Sequence, residues 1–484
     1  LHVIDLAIIV LYLAGVVGSG FYFGRRQQST ARYFLGGHQV PWWAISASIV
    51  ATETSTVTFI SVPGIAYARN GDFRFLQIVF GYITARFVIS TLFMPAYFRH
   101  ELVTVYELLQ ERFGGAVKGL AATLFVVMRT IADGVRLLLT GFVVAAVVKS
   151  LGWAESAVGA SVIGLGVVMV LFTLIGGIEA IVWVEVVQLL IYIGGAAAAA
   201  VVLINEIPGG LEAAIAAGTA ANKFRFLDFS FDLTKTFTFW SGVIGGAFLT
   251  MSTHGTDQYM VQRYLCTDSS RKASAALLVS GVVVLVQFIG FLFIGVLLFA
   301  FYKGREFQAG DQVFPDFIAN HLPVGLSGLV VAAIFAAAMS SSLSAIASTV
   351  VADLYAPVVR ERSDRHYLNV SRVVILLAGM AQIAVGVGMQ YTARSALNIV
   401  LSVASLINGP ILGVFLLGAT GRGGRLAAFA GMVSGLAVVL YVAFATKVAW
   451  PWYTLVGSLT TLGVGSVFAA FEMQNAKGKM QNAK

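Results

Sequence analysis

Residues 48–64 read SIVATETSTVTFISVPG. Seven hydroxyl side chains and Glu53 lie in an otherwise apolar run that ends on Pro63-Gly64. Proline removes a helix donor, and glycine tolerates backbone angles that other residues avoid. A purely structural membrane helix is apolar throughout. Polar density with a breaker therefore predicts a discontinuous helix, whose freed backbone groups can hold an ion or a solute. The bland alternative is that Ser and Thr bond back to their own helix or pack closely on a neighbour. Glu53 weighs against it, because a carboxylate in mid-membrane needs a role or a partner.

That a membrane surrounds this segment follows from composition. Of 484 residues, 58% are hydrophobic and 11% charged, with mean hydropathy +0.87. A soluble chain carries roughly 25% charged residues, so most of this outer surface must face lipid. With about 20 apolar residues per crossing, spans fall near 4–24, 43–69, 72–97, 116–149, 157–176, 178–205, 238–265, 272–302, 325–352, 367–391, 396–419, 424–446 and 450–471. The expectation is an all-α integral membrane protein of about thirteen transmembrane helices, forming one transporter domain over 1–471. The net charge of +8 reads as Lys and Arg in cytoplasmic loops rather than as a nucleic-acid surface. Placing the N-terminus outside puts the richer set inside, including Arg25, Arg26, Arg32, Lys118, Arg263 and Arg372. The chain is thus expected in the plasma membrane, multi-pass, with a cytoplasmic C-terminus. Its first apolar run reads as a span, not a cleaved signal. Cys266 is the one cysteine, so no internal disulfide forms. Residues 472–484, which repeat MQNAK, read as a disordered or appended tail.

Two further spans are interrupted. The seventh contains FLTMSTHGTDQYMVQRY, 248–264, where His254, Gly255 and Asp257 break an apolar run. It lies five spans after the second, and paired interruptions at corresponding positions point to an inverted repeat with its site at the midplane. The repeats would be 43–205 and 238–419, with the first and last two helices peripheral. The ninth contains AAIFAAAMSSSLSAIAS, 332–348. Its alanines allow close backbone approach, and Ser340, Ser341 and Ser344 offer hydroxyl oxygens on adjoining faces. Sodium is a hard cation that prefers oxygen ligands, although a small-residue packing seam explains this segment equally well. Among charges within spans, Asp133 and Arg136 share a helical face, and Arg86 requires a partner, with Glu53 and Glu185 as candidates.

These segments, together with ARYFLGGHQVPWWAISASIVAT near 31–52, PAYFRHELVTVYELLQERFG at 95–114 and GGIEAIVWVEVVQ at 176–188, resemble the sodium/solute symporter family of sodium–glucose cotransporters and bacterial sugar and sialic-acid symporters. The resemblance runs nearly the whole chain. It implies a five-plus-five inverted-repeat (LeuT-type) fold and a sodium ion between the second and ninth spans. The implied ligands are carbonyls of Ala51, Thr54 and Ala337 and hydroxyls of Ser340 and Ser341. A second sodium in some members would here involve Ser344 and Glu185, with Leu343 in place of a serine. The implied solute face is Glu53, Ser55 and Thr58, then Phe75 and Gln77, then Arg136, His254 and Asp257, with Asn408 at the far side.

The expected activity is sodium-coupled symport of a small polar solute by alternating access. A sugar or polyol is favoured, because an uncompensated Glu53 would repel an anion. Alternatives on the same fold are proton-coupled or uncoupled transport, or a monocarboxylate, amino acid or sialic acid as cargo. Walker-A, HExxH and paired CxxC motifs are absent from the sequence, so ATP-driven pumping, metalloprotease chemistry and zinc have no support, and no enzyme is expected. The partners are the solute, sodium and the bilayer. Nothing in the sequence specifies an oligomer, and a monomer suffices.

Overall fold

A computed structural model describes residues 2–25, 29–99, 102–150, 157–307, 310–339, 342–359, 362–390 and 396–482. Each expected span has a helical counterpart. Among the described residues, eight helices are long and apolar enough to cross a membrane, and a bent pair in the second span adds one more. The helix Ala157–Glu206 would measure about 75 Å if straight, more than twice a bilayer core. Gly177, at φ 61° and ψ −171°, turns it into the fifth and sixth spans. The fourth span is the helix Gly115–Ser150, which carries Lys118, Arg129, Asp133 and Arg136. The seventh and ninth spans are broken.

The breaks are local and chemical. The second span divides into Trp42–Glu53 and Thr56–Tyr67, bent by 54°. The division falls at Thr54-Ser55, not at Pro63-Gly64, which lies within the second half. The hydroxyls explain the shift: Thr54 donates to Gln287 at 2.6 Å, Thr56 to the Ile334 carbonyl at 3.2 Å, and Thr58 back to the Glu53 carbonyl at 2.8 Å. The Glu53 carbonyl thus has a partner outside the helix ladder, and Thr54 and Thr56 anchor the break to the eighth and ninth spans, whereas Pro63 forfeits one bond and the helix continues. The seventh span runs through Gly246–Gly255, breaks at Thr256-Asp257 and resumes as Gln258–Leu265. The ninth runs Leu326–Met339 and resumes at Leu343.

Two faces can be told apart. On the basic face, Val40 donates to the Cys266 carbonyl at 3.1 Å, joining the connections that follow the first and seventh spans. Two residues expected as loop charges there are buried instead. Arg263 and Lys118 are 1% and 3% exposed, each paired with an acid. On the opposite face, the stretches 206–237, 303–307 and 310–324 form a lid. The buried Lys223 ammonium donates to the carbonyls of Tyr67, Ala68 and Arg69 at the end of the second span and lies 4.3 Å from the Phe299 ring. Arg74 bridges Asp72 and Asp228 at 2.7 and 3.3 Å. Hydrogen bonds from Ser230, then Arg74, pull the Asp228 carboxyl down to about 2. Its contribution is complete above the ordinary aspartate range near ~4 and is lost only as pH falls through the folded value.

One large apolar cluster lies towards the basic face around Phe34, Tyr106 and Tyr264, and another towards the lid around Phe59, Phe288 and Phe314. They meet along the first half of the second span, Ile49 belonging to the first and Val50 to the second. The final helix runs Pro451–Asn482. The first span is fixed to the ninth by Asp5, whose carboxylate accepts from the Gly325 and Gly328 amides at 2.6 and 3.0 Å. These are orphan donors of the helix N-terminus, so Asp5 is a cap supplied from another helix. Asp5→Ala is expected to cost about 1–2 kcal/mol, read as a lowered midpoint in thermal unfolding in detergent.

Candidate ion and solute site

Glu53 ends the first half of the second span, where the helix stops and its carboxylate can turn into the bundle. Arg86 reaches it from the third span, with Nη2 2.6 Å from both carboxylate oxygens. His254, beside the break of the seventh span, places Nε2 2.6 Å from Oε1. The three side chains are 9%, 1% and 6% exposed. Arg86 gains this reach because the eighth span has glycine where it passes: a Cβ on Gly281 would lie 2.7 Å from Arg86 Cδ. The open question of Arg86's partner is thus decided for Glu53. Arg86 Nη1 and Nε have no hydrogen-bond partner among the described residues.

The oxygen donors for a cation gather beside this trio. The last carbonyls of a helix have no intrahelical donor and carry partial negative charge. Ala51 and Thr54 stand at such an end, and both are buried. Ala337 stands at the end of Leu326–Met339. The bond from Thr56 to Ile334, one turn before Ala337, holds these two helix ends together. Among the described residues no three His, Cys, Asp or Glu side chains converge as a metal cluster. Carbonyls and hydroxyls are instead a fitting set for an alkali cation. Ser340 and Ser341 lie outside the described residues. Ser55 starts the second half in an extended conformation and, like Thr58, is buried at the break.

Below the break, towards the basic face, three ion pairs surround Tyr259. Arg263 Nη2 lies 2.5 Å from Glu185, and its Nε lies 2.9 Å from Ser48, which also donates to Glu185. Thr52 donates to the same carboxylate at 3.1 Å. Arg129 pairs with Asp257, which caps Gln258–Leu265 through the Tyr259 amide at 2.9 Å. Arg136 lies 3.5 Å from Asp133. The guanidinium groups of Arg129 and Arg263 lie 4.5 and 4.4 Å from the Tyr259 ring, within cation–π range. Asp257, Arg136 and Glu185 were thus singled out by sequence, but their cross-span partners Arg129 and Arg263 were not. A signal for Arg263 existed: it falls within the run 238–265, at membrane depth, where a lone cation needs an acid.

The remaining candidates sit elsewhere. Gln77 spends its amide on the Arg74 and Phe237 carbonyls and the Asp228 amide, and Phe75 packs between Phe237 and Phe288, so both fasten the lid. Ser344 accepts from Gln262 at 3.1 Å. Asn408 is buried on the eleventh span, whose Gly409 carbonyl accepts from Ser458 of the last helix at 2.9 Å.

The chain is similar to known proteins over most of its length. The sodium/sialic acid symporter NanT of Aliivibrio fischeri is 29% identical over 96% of this chain and 92% of its own. The human sodium/iodide cotransporter is 29% identical over 91% of this chain and 69% of its own. The substrate-bound outward-open state of a Na+-coupled sialic acid symporter superposes with a TM-score of 0.88, at 26% identity, covering 97% of this chain and 98% of that one. The profile of the sodium:solute symporter family matches residues 33–435. A broken second span, a seventh span broken in register with it and this family-wide match have one reading: the chain belongs to the sodium:solute symporter family, a multi-pass plasma-membrane symporter that couples solute transport to sodium and is not an enzyme.

Proposed function

We propose that the protein imports a small organic anion with sodium by alternating access, and that its cargo is a carboxylate such as a sugar acid of the sialic-acid type or a monocarboxylate. The observation that carries this reading is the Arg86–Glu53 pair. The preference for a neutral sugar rested on an uncompensated Glu53. With Arg86 cancelling that charge and His254 beside it, a carboxylate meets no net repulsion. Glu53 retains acceptor capacity for hydroxyls, which a sugar acid uses and a monocarboxylate does not. Sodium takes the carbonyls of Ala51, Thr54 and Ala337 and the hydroxyls of Ser340 and Ser341. Ser55, Thr58, Arg136 and His254 face the solute. Glu185 already has a cation in Arg263, so one sodium moves per cycle. The basic face is cytoplasmic, the N-terminus is outside, and the layer around Tyr259 closes the inner exit until both ligands are bound.

One sodium with one monoanion moves no net charge. Uptake into vesicles is therefore expected to be insensitive to an imposed membrane potential. A neutral cargo or a second sodium would move one charge, worth about 2.3 kcal/mol per 100 mV, and a strong voltage dependence of accumulation would overturn the proposal. The cargo class is found first by thermal stability in detergent, in sodium against potassium at matched ionic strength, across sugars, sugar acids, amino acids and monocarboxylates. Ligands of the folded state raise apparent stability by mass action. An increase for carboxylates only when sodium is present is the expected result; an increase for neutral sugars alone would restore the polyol reading. The variant Ser340→Ala with Ser341→Ala is expected to fold but to lose the sodium response.

A further inference from the structure

Asp133 lies on the fourth span, 4% exposed, and points to the break in the ninth. Its Oδ2 accepts from both the amide and the hydroxyl of Ser342, at 2.9 and 2.5 Å. Ser342 immediately follows Ser341 and heads the helix Leu343–Thr349. Asp133 therefore grips the ninth span at the residue that directly follows, in sequence, the serines assigned to sodium. The other oxygen, Oδ1, has no hydrogen bond among the described residues and lies 3.5 Å from Arg136 Nη1. Arg136 Nε is likewise unpartnered there. One carboxylate thus touches the chain of the sodium segment with one oxygen and a solute-facing cation with the other.

We propose that Asp133 is the positioning residue that couples the two ligands, by exchanging its charge between Arg136 and the sodium segment. This rests on the assignment of Ser340 and Ser341 to sodium and Arg136 to the solute. Without solute, Arg136 offsets the Asp133 charge. An anion that draws on Arg136 releases that charge, and the field at the neighbouring cation becomes more negative. Sodium then binds more tightly, and by reciprocity the solute binds more tightly when sodium is present. The arrangement needs no movement of the helices: the low-dielectric interior makes a single redirected ion pair effective.

The test uses sodium alone, so it does not depend on knowing the cargo. Arg136→Gln imitates withdrawal of the arginine. It is expected to lower the sodium concentration for half-maximal thermal stabilisation about 10-fold, within the range of typical coupling, against potassium at matched ionic strength. Asp133→Asn keeps an acceptor for Ser342 and is expected to weaken sodium binding. In the Asp133→Asn background, Arg136→Gln should have no further effect. An unchanged or weakened sodium affinity in Arg136→Gln overturns the proposal. So does an equal tightening with and without Asp133, which would make the effect a general field of the arginine. If Asp133→Asn does not fold, Asp133→Glu, which keeps the charge one carbon further out, takes its place: it must alter the response to Arg136→Gln for the proposal to stand. Failure of the sodium assignment is seen separately, as a sodium response that survives Ser340→Ala with Ser341→Ala.

Discussion

Replacing Arg263 by Met is expected to cost about 3–5 kcal/mol, the usual cost of stranding one partner of a buried ion pair. Glu185 is fully buried and Arg263 is 1% exposed. Ser48 and Thr52 donate to the carboxylate but cannot neutralise it. Arg263→Met should therefore show a much lower unfolding midpoint, or fail to accumulate. Adding Glu185→Gln removes the stranded charge and should recover most of the stability. If the double variant folds no better than Arg263→Met, the pair is not the dominant interaction at this depth. The recovered protein also bears on transport. The network ties the first half of the second span to the sixth and seventh, so a neutral version should loosen the basic face and raise solute leak in vesicles lacking a sodium gradient.

The second large effect concerns Arg86, and it should fall on transport more than on folding. Truncating one partner of a hydrogen-bonded charge pair at a binding site costs about 2–5 kcal/mol of affinity, roughly 30-fold or more at 1.4 kcal/mol per tenfold. Arg86→Met leaves Glu53 with His254 alone, so an anionic cargo meets an uncompensated carboxylate. Uptake of a carboxylate should fall by at least that factor, while stabilisation by sodium persists. Adding Glu53→Gln should restore folding and part of the carboxylate binding, since the repulsion is gone. If Arg86→Met transports carboxylates normally, the pair is a structural lock and the solute lies elsewhere. Gly281→Val is a steric version of the same experiment, because it displaces the Arg86 stem without altering any charge.

The sequence made the spans and the three broken helices legible because each leaves a local signature: a run of one length, or polar residues where none belong. The position of the second break was less legible. Pro63 is the strongest breaker by type, yet a single missing amide is tolerated, whereas at the break Thr58 bonds the Glu53 carbonyl and Thr54 and Thr56 tie the chain to the eighth and ninth spans. The ion pairs were partly hidden because pairing is not local. Arg263 and Glu185 are 78 residues apart, and no periodicity relates them. Asp133 and Arg136 were visible as neighbours on one face, but the link from Asp133 to Ser342 depends on how the fourth span crosses the ninth. Gln77 and Phe75 entered as solute contacts through the family resemblance, and their contacts with Phe237 and Asp228 depend on the fold.

The fastening of the lid by Lys223 has a consequence for how this protein tolerates mutation. Its partners are main-chain oxygens, which every residue type supplies. Tyr67, Ala68 and Arg69 are therefore free to vary as far as this contact is concerned, while position 223 is not. A survey of all single substitutions across the lid face should find an intolerant lysine opposite tolerant positions 68 and 69, a pattern that would look like an isolated essential residue to anyone scoring side chains alone.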